Sequence, residues 1–117
     1  MEKIDMNKTK LVETFNIGGT SWFGLALTAK PSDIINALGA PHYTDESGED
    51  KTSLEWDFET EDGIVFTIYD WKEYDAPAAR HLNDRYTFHI GVKDSQHHER
   101  VTSILAEYGL ITKHSRY

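Results

Sequence analysis

The stretch from residue 54 to residue 71 decides the fold, and it reads LEWDFETEDGIVFTIYDW. In its first half, large apolar residues alternate with acids, which is the period-two pattern of a strand with one buried face and one acidic face. Glu61-Asp62-Gly63 follows as a hairpin turn, because glycine accepts the positive φ that tight turns require. Ile64 to Trp71 returns as a second strand, and apolar or aromatic residues on both of its faces predict a central position in the sheet.

Further strands and helices are predicted on either side of this hairpin. In chain order they are strands at 11–15 and 21–29, a helix at 31–38, the hairpin itself, a strand at 85–90 and a helix that begins at 94 or 95 and ends at Gly109. Gly18-Gly19 predicts that the first two strands pair as a hairpin. The order ββαβββα predicts an α+β fold, an antiparallel sheet of about five strands with two helices packed on one face.

The chain length of 117 residues fits a single domain, which we predict over residues 10–117 after a flexible, polar N-terminus at 1–9. The absence of cysteine excludes disulfides, thiolate zinc sites and a cysteine nucleophile. No apolar run approaches the ~20 residues that span a bilayer, and the first ten residues lack the apolar stretch of a signal peptide. We therefore expect a cytoplasmic protein that does not associate with membranes.

The negative charge of the chain is concentrated in one segment. Residues 44–62 contain nine acids and one base, so this segment alone accounts for the net charge of −8. Such a balance disfavours direct nucleic-acid binding, which needs Lys and Arg against phosphate, and suits a basic partner. The alternative interpretation is that the acidic segment contacts no partner and is a solvated hairpin that keeps the protein soluble. The candidate partner-binding residues are Glu55, Asp57, Glu59, Glu61 and Asp62.

Aromatic and basic residues near strand ends and loops form a second candidate site. Tyr and Trp can stack on a base, and Arg beside an aromatic ring suits a phosphorylated ligand. Packing within the core or at the sheet edge is the alternative, since strands favour aromatic residues. The candidate ligand-binding residues are Tyr69, Trp71, Tyr74, Arg80, Arg85 and His89; Trp22 and Tyr86 also lie at strand ends.

The histidines and carboxylates do not form a known metal or catalytic motif. Adjacent His97 and His98 would point ~100° apart on a helix, and no HExxH spacing occurs. No metal or other cofactor is therefore expected. No nucleophile elbow, phosphate-binding glycine loop or catalytic triad signature is present, so we expect a non-enzymatic protein. A small hydrolase or nuclease that uses His89 with Asp70 is the enzymatic alternative.

Several short motifs resemble those of a group of small phage-encoded proteins. They are Leu38-Gly39-x-Pro41, Glu55-Trp56 with Phe58, Asp62-Gly63, the TIYDWK of residues 67–72 and the FHIG of residues 88–91. The resemblance covers residues 38 to about 105. This chain differs from the group at two positions: Phe88 replaces a Trp of the group, and Val92 replaces a second Gly. The resemblance implies a viral origin and expression in an infected host cell.

Together, these observations give two hypotheses of function. In the first, the chain binds and inhibits a bacterial defence protein, in the manner of an anti-CRISPR, by presenting its acidic segment to a basic surface. In the second, it sequesters a nucleotide immune signal in an aromatic and arginine pocket, as a homodimer or higher oligomer. The expected partners are thus a basic host protein, a nucleotide, or a second copy of the chain.

Overall fold

The computed structural model describes residues 8–114, so most of the N-terminal segment expected to be flexible lies outside that range. Of that segment, Thr9 donates its backbone N–H to Glu107 Oε1 at 2.9 Å. The elements, in chain order, are β1 (Leu11–Glu13), β2 (Ser21–Ala29), α1 (Pro31–Leu38), β3 (Tyr43–Thr44), β4 (Leu54–Thr60), β5 (Val65–Tyr69), β6 (Tyr86–Val92), α2 (His98–Glu107) and β7 (Thr112–His114). Short 3₁₀ turns at Ala78–Arg80 and Ser95–His97 lie in the connections.

All strands belong to one antiparallel sheet, in the spatial order β1-β4-β5-β6-β2-β7. β1 and β3 share one edge of β4, where Leu11 is opposite Thr60 and Tyr43 is opposite Glu55. β5 lies between β4 and β6, which confirms its predicted central position. The predicted α+β class, with an antiparallel sheet and two helices, is confirmed.

Two details of the predicted sheet are wrong. The described residues form seven strands instead of five, because β3 and β7 have only two and three residues and are too short to show a period. The predicted pairing of the first two strands does not occur, since β1 pairs with β4 and β2 with β6. Gly18-Gly19 indicates only a local turn and does not determine which strand pairs with β2. Pairing with β6 buries Leu27 of the nine-residue β2 beside Phe88, and this apolar burial stabilises the fold more than a short hairpin with β1 would.

The helices cover one face of the sheet, and the core lies between. On β4 the buried residues alternate with the acids, as the sequence predicts. The core cluster joins the inward side chains of the four long strands to apolar residues of α1, α2 and the 3₁₀ turn after β5. Its members include Leu25, Leu27, Ile34, Leu54, Trp56, Phe58, Phe66, Ile68, Ala78, Phe88, Ile90, Val92, Val101 and Leu105.

The long connection between β5 and β6 is held to this core by one carboxylate. Asp70 is 1% exposed, and its Oδ1 accepts the backbone N–H groups of Ser53 and Leu54 at 2.7 and 2.9 Å. Its Oδ2 accepts the Ser53 hydroxyl at 2.6 Å and the Ala78 N–H at 3.4 Å. The connection, predicted as a loop of residues 75–84, therefore places its 3₁₀ turn against the sheet, with Ala78 and Ala79 buried.

Candidate functional site

The face of the sheet opposite the helices, here called the open face, has no helix packed on it among residues 8–114, although Thr67 on this face is buried. Cross-strand pairing aligns its side chains, since Glu55 is opposite Tyr69 and Tyr69 is opposite His89. The open face carries the acids Glu55, Asp57 and Glu59 of β4, Thr67 and Tyr69 of β5, His89 of β6 and Trp22 of β2. An acidic strand thus borders an aromatic cluster.

His89 lies at the centre of that aromatic cluster. The indole of Trp22 stacks on its imidazole with ring centroids 3.9 Å apart and the planes 2° from parallel. Trp71 lies at 6.2 Å with an angle of 25°, and Tyr69 contacts the ring edge-on at 5.6 Å. Burial lowers the pKa of His89, so the imidazole is neutral at pH 7. The cluster is therefore a set of stacked neutral rings, not a cationic centre.

A β-bulge in β2 brings Trp22 onto His89. The register between β2 and β6 shifts between Trp22 and Ala26, and Gly24 in this segment has φ +106°, which L side chains rarely adopt. The indole N–H of Trp22 donates to the carbonyl of Leu25 at 2.9 Å, which fixes the ring over the sheet.

Trp71 follows the end of β5 and is the most exposed ring of the cluster, with 39% of its surface accessible. The ammonium groups of Lys51 and Lys72 lie 5.8 and 5.6 Å from its ring centroid, within the range of cation–π attraction. Lys72 has φ +59°, the only non-glycine residue in the described range with positive φ. Its N–H donates to the Lys51 carbonyl at 2.7 Å, which joins the two lysines at one end of the open face.

Glu55 and Asp57 form a carboxyl pair on the acidic strand. Burial, together with a hydrogen bond to Asp57 and the charge of that group, raises the pKa of Glu55 to about 8. Asp57 Oδ1 is buried and accepts no hydrogen bond from a backbone or side-chain donor among residues 8–114. Burial, followed by the charge of Glu55, also raises the pKa of Tyr69. At neutral pH this strand therefore carries less negative charge than its sequence suggests.

The remaining candidate acids lie at the β4–β5 turn. Glu61 is exposed there. Asp62 accepts the Thr60 hydroxyl at 2.5 Å, and its carboxylate lies 3.8 Å from the guanidinium of Arg100 in α2. The hydrogen bond from Thr60 lowers the pKa of Asp62. Three of the five predicted partner-binding acids thus share the open face, and Asp62 is directed towards the helical side.

The structure divides the predicted ligand-binding residues in a similar way. Tyr69, Trp71 and His89 meet on the open face. The guanidinium of Arg80 and the backbone carbonyl of Tyr74 instead lie beside Gly48, in the connection between β3 and β4. Arg85 precedes β6 by one residue, ~13 Å along the strand direction from His89, and lines a separate cavity of about 660 Å³ beside α1. The two arginines therefore do not join the aromatic cluster.

The proposed catalytic pair of His89 and Asp70 does not form, because the two side chains point to opposite faces of the sheet. Asp70 lies two residues after Ile68 and, like Ile68, is buried on the helical side of the sheet. Its two carboxylate oxygens accept the four hydrogen bonds described above. His89 is surrounded by aromatic rings on the open face. The arrangement on this face suits binding by stacking, hydrogen bonding and charge.

Sequence reasoning noted Trp22 at a strand end but did not include it in the ligand site. Its place depends on the bulge in β2 and on the pairing of β2 with β6, which sets Trp22 opposite Gly91, far away in the sequence. Gly24, next to an aromatic pair within a predicted strand, was the available signal, because an internal strand glycine often marks a bulge.

Comparison with known proteins does not identify a family. No protein-family model matches the chain, and a search of curated proteins finds no similar one. Within residues 8–114, no group of three or more His, Cys, Asp or Glu side chains is arranged to hold a metal ion. None of the helices in that range is both long and apolar enough to cross a membrane.

Proposed function

We propose that the chain is a non-enzymatic binding protein that uses the open face to occupy a basic surface of a partner protein. The observation that carries this proposal is the uncovered sheet face on which an acidic strand borders the ring cluster of Trp22, Tyr69, Trp71 and His89. A stable domain ordinarily covers such rings with another element. Here Trp71 is exposed, and the other three rings are partly exposed, so a partner can reach them.

The charge of this face determines which partner fits. Glu59 and the Glu55–Asp57 pair line β4 beside the rings, and the exposed Glu61 extends the acidic surface at the end of the hairpin. Arginine suits both parts of the surface, because its guanidinium pairs with carboxylates and stacks on aromatic rings. An arginine-rich, nucleic-acid-binding surface has this chemistry, so the partner would lose access to its nucleic acid when the chain binds.

The biological setting of the proposal comes from the resemblance of the sequence to small phage-encoded proteins. We infer that the partner is a defence protein of an infected bacterial cell and that the chain inhibits it in the host cytoplasm. Binding by occlusion needs no catalytic group, which agrees with the separation of His89 from Asp70 across the sheet.

The first experiment isolates the partner and then tests the mode of binding. The tagged chain captures host proteins from infected cells, and the affinity of the purified partner is measured at rising salt concentration. We expect weakening with salt and competition by the partner's nucleic acid, because exposed charge pairs are screened. Affinity that is independent of salt and unaffected by nucleic acid would contradict the proposal.

A matched pair of variants locates the binding surface. The triple variant Glu55→Gln, Asp57→Asn and Glu59→Gln removes the acids of β4 while preserving their shapes. The control, Asp33→Asn and Glu99→Gln, neutralises two exposed carboxylates outside β4, which matches the two charges that β4 loses at neutral pH, where Glu55 is already protonated. We expect the first variant to weaken binding about tenfold or more and the control to bind normally. Equal losses would indicate an effect of net charge alone.

A second candidate function, capture of a nucleotide, is favoured by one observation. The exposed indole of Trp71 has Lys51 and Lys72 close to its ring, so a base could stack on the indole while the lysines pair with phosphate. Calorimetry and thermal shift against cyclic dinucleotides and ADP-ribose derivatives test this function. Saturable binding that is lost in Lys51→Ala with Lys72→Ala would support it, and the absence of heat with every ligand would reject it.

A further inference from the structure

Two histidines from distant parts of the chain meet at the edge of the sheet, on its helical side. His98 is the first residue of α2, and His114 is the last residue of β7. Their ring centroids are 5.0 Å apart, and the planes are tilted by 53°. An open cavity of about 510 Å³ lies beside them, also lined by Ser95, Glu99 and Thr102. This position is remote from the open face, so it is independent of the proposed function.

The separation of the two rings suits a shared metal ion. When two imidazoles bind one tetrahedral zinc ion through nitrogen at ~2.1 Å, their ring centroids are roughly 5 Å apart. The observed centroid distance agrees with this geometry. The tilt of the rings matters less, because each imidazole can rotate about its nitrogen–metal bond.

A buried nitrogen without a partner provides independent evidence for a ligand at this position. His98 is only 8% exposed, and its Nε2 atom has no hydrogen-bond partner among residues 8–114. Buried polar atoms are almost always satisfied in folded proteins, so such an atom needs an explanation. A metal ion bound to Nε2 would satisfy this nitrogen, and the same ion could be bound by His114, which also lines the cavity.

We propose that His98 and His114 form a binding site for a divalent transition-metal ion of the zinc, copper and nickel class. Neutral imidazole is a preferred ligand of these ions, whereas magnesium and calcium prefer oxygen. No third His, Cys, Asp or Glu within the described range completes a cluster, so solvent would occupy the other coordination positions. The ion would link the start of α2 to the edge strand β7.

The sequence does not indicate this site, because its two histidines are not close in sequence, unlike the adjacent His97 and His98. The relevant pair is separated by 16 positions, and its members come together only when β7 pairs with β2 and α2 packs beside it. Motifs of metal ligands at short spacing therefore could not predict it.

To test the proposal, the full chain is treated with a chelator and then titrated with zinc chloride. We expect saturable binding of one zinc ion per chain by calorimetry and a higher melting temperature with zinc than with chelator. His98→Ala and His114→Ala should each reduce zinc affinity about tenfold or more. The control is His81→Ala, which removes an exposed histidine paired with Asp84 at 3.5 Å and should bind zinc normally.

Several outcomes would overturn the assignment. They are a lack of saturable binding, equal zinc affinity in the parent chain and the His114→Ala variant, and a crystal grown with zinc that shows only water at His98 Nε2. Because His98 is buried, its replacement could disturb folding. The His114→Ala variant is therefore the decisive one, since His114 is exposed on an edge strand, and circular dichroism establishes that this variant is folded.

Discussion

The two faces of the sheet carry similar side chains in different surroundings, and β4 shows the difference within one strand. Its inward residues are buried against the helices, whereas Glu55, Asp57 and Glu59 on the open face are only partly covered. On the inner face, the buried carboxylate of Asp70 is satisfied within the chain by four donors. The open face keeps aromatic rings and carboxyl groups that a partner can contact. This difference separates the residues that hold the fold from those to which the proposed function assigns binding.

Two tryptophans make the comparison measurable. Trp56 on the inner face has 0% exposure, and its indole N–H donates to the Gly39 carbonyl at 2.9 Å. Trp71 at the end of the open face is 39% exposed and lies beside two lysines. The same residue type should therefore contribute mainly to stability in one position and mainly to binding in the other.

The largest expected effect is the loss of Trp56. Trp56→Ala should reduce the free energy of unfolding by about 3–5 kcal/mol, because it leaves a cavity in the core and removes the partner of the Gly39 carbonyl. Trp71→Ala should cost about 1 kcal/mol or less in stability and weaken partner binding by about 2 kcal/mol or more.

Urea unfolding of both variants, with affinity measured on the folded Trp71→Ala protein, checks this contrast. If Trp71→Ala proved as unstable as Trp56→Ala and bound the partner normally, Trp71 would belong to the core. The distinction between the two faces would then fail at this position.

The next effect concerns the carboxylate that secures the β5–β6 connection. Asp70→Asn should cost about 2–3 kcal/mol, since the new amide group cannot accept the Ala78 N–H and a buried donor is left unpaired. The control is Asp75→Asn, which changes an exposed residue of the same connection and should have almost no effect. Equal unfolding midpoints for the two variants would show that Asp70 does not hold the connection.

The sequence predicted local features of both faces and missed the long-range ones. The alternation of residues 54–60 identified the inward and outward sides of β4, because a strand shows its burial within its own period. The separation of Arg80 from the aromatic cluster was not predictable in the same way. It depends on Asp70 and Ser53 drawing Ala78 and Ala79 into the core, and no local pattern encodes that contact.

The prediction for the open face was also incomplete, because the sequence did not show which strands pair. Tyr69 and Trp71 were identified from their position at one strand end, and His89 was named as a residue of the predicted strand at 85–90. Trp22 required knowledge that β2 pairs with β6 and that the bulge turns its ring onto His89. Sequence patterns therefore identified residues on each strand but not which strands lie side by side.

A smaller effect tests how closely the residues of the open face pack. A Cβ atom at Gly91 would lie 2.5 Å from Thr67 Oγ1, so Thr67 must move to accommodate it. Gly91→Ala should cost about 1–2 kcal/mol through this overpacking. The control, Gly18→Ala, introduces the same atom where no other atom lies within 4 Å. If both substitutions left the melting temperature unchanged, the close packing of Thr67 over β6 would be disproved.

The smallest expected effect is the titration of Glu55 on the open face. Its pKa of about 8 in the folded chain lies above the ordinary value of 4.5, so folding favours the protonated carboxyl. The resulting stability is fully present below pH 4.5 and is lost as the pH rises through about 8. The effect on the unfolding free energy should be modest, because Glu55 is only partly buried and solvent screens its interactions.

Glu55→Gln makes this prediction specific, since glutamine stays neutral and can still donate a hydrogen bond to Asp57. Between pH 7 and pH 9 the variant should lose less stability than the parent chain. That window excludes interference from His89 and His98, whose lowered pKa values place their titration at lower pH. Carbon-detected NMR of the Glu55 carboxyl should give a midpoint at about 8, and the exposed Glu99→Gln variant should keep the parental pH dependence. A Glu55 midpoint near 4.5, with parallel stability curves for both variants, would mean that the two carboxyl groups share no proton and that the acidic strand carries its full charge.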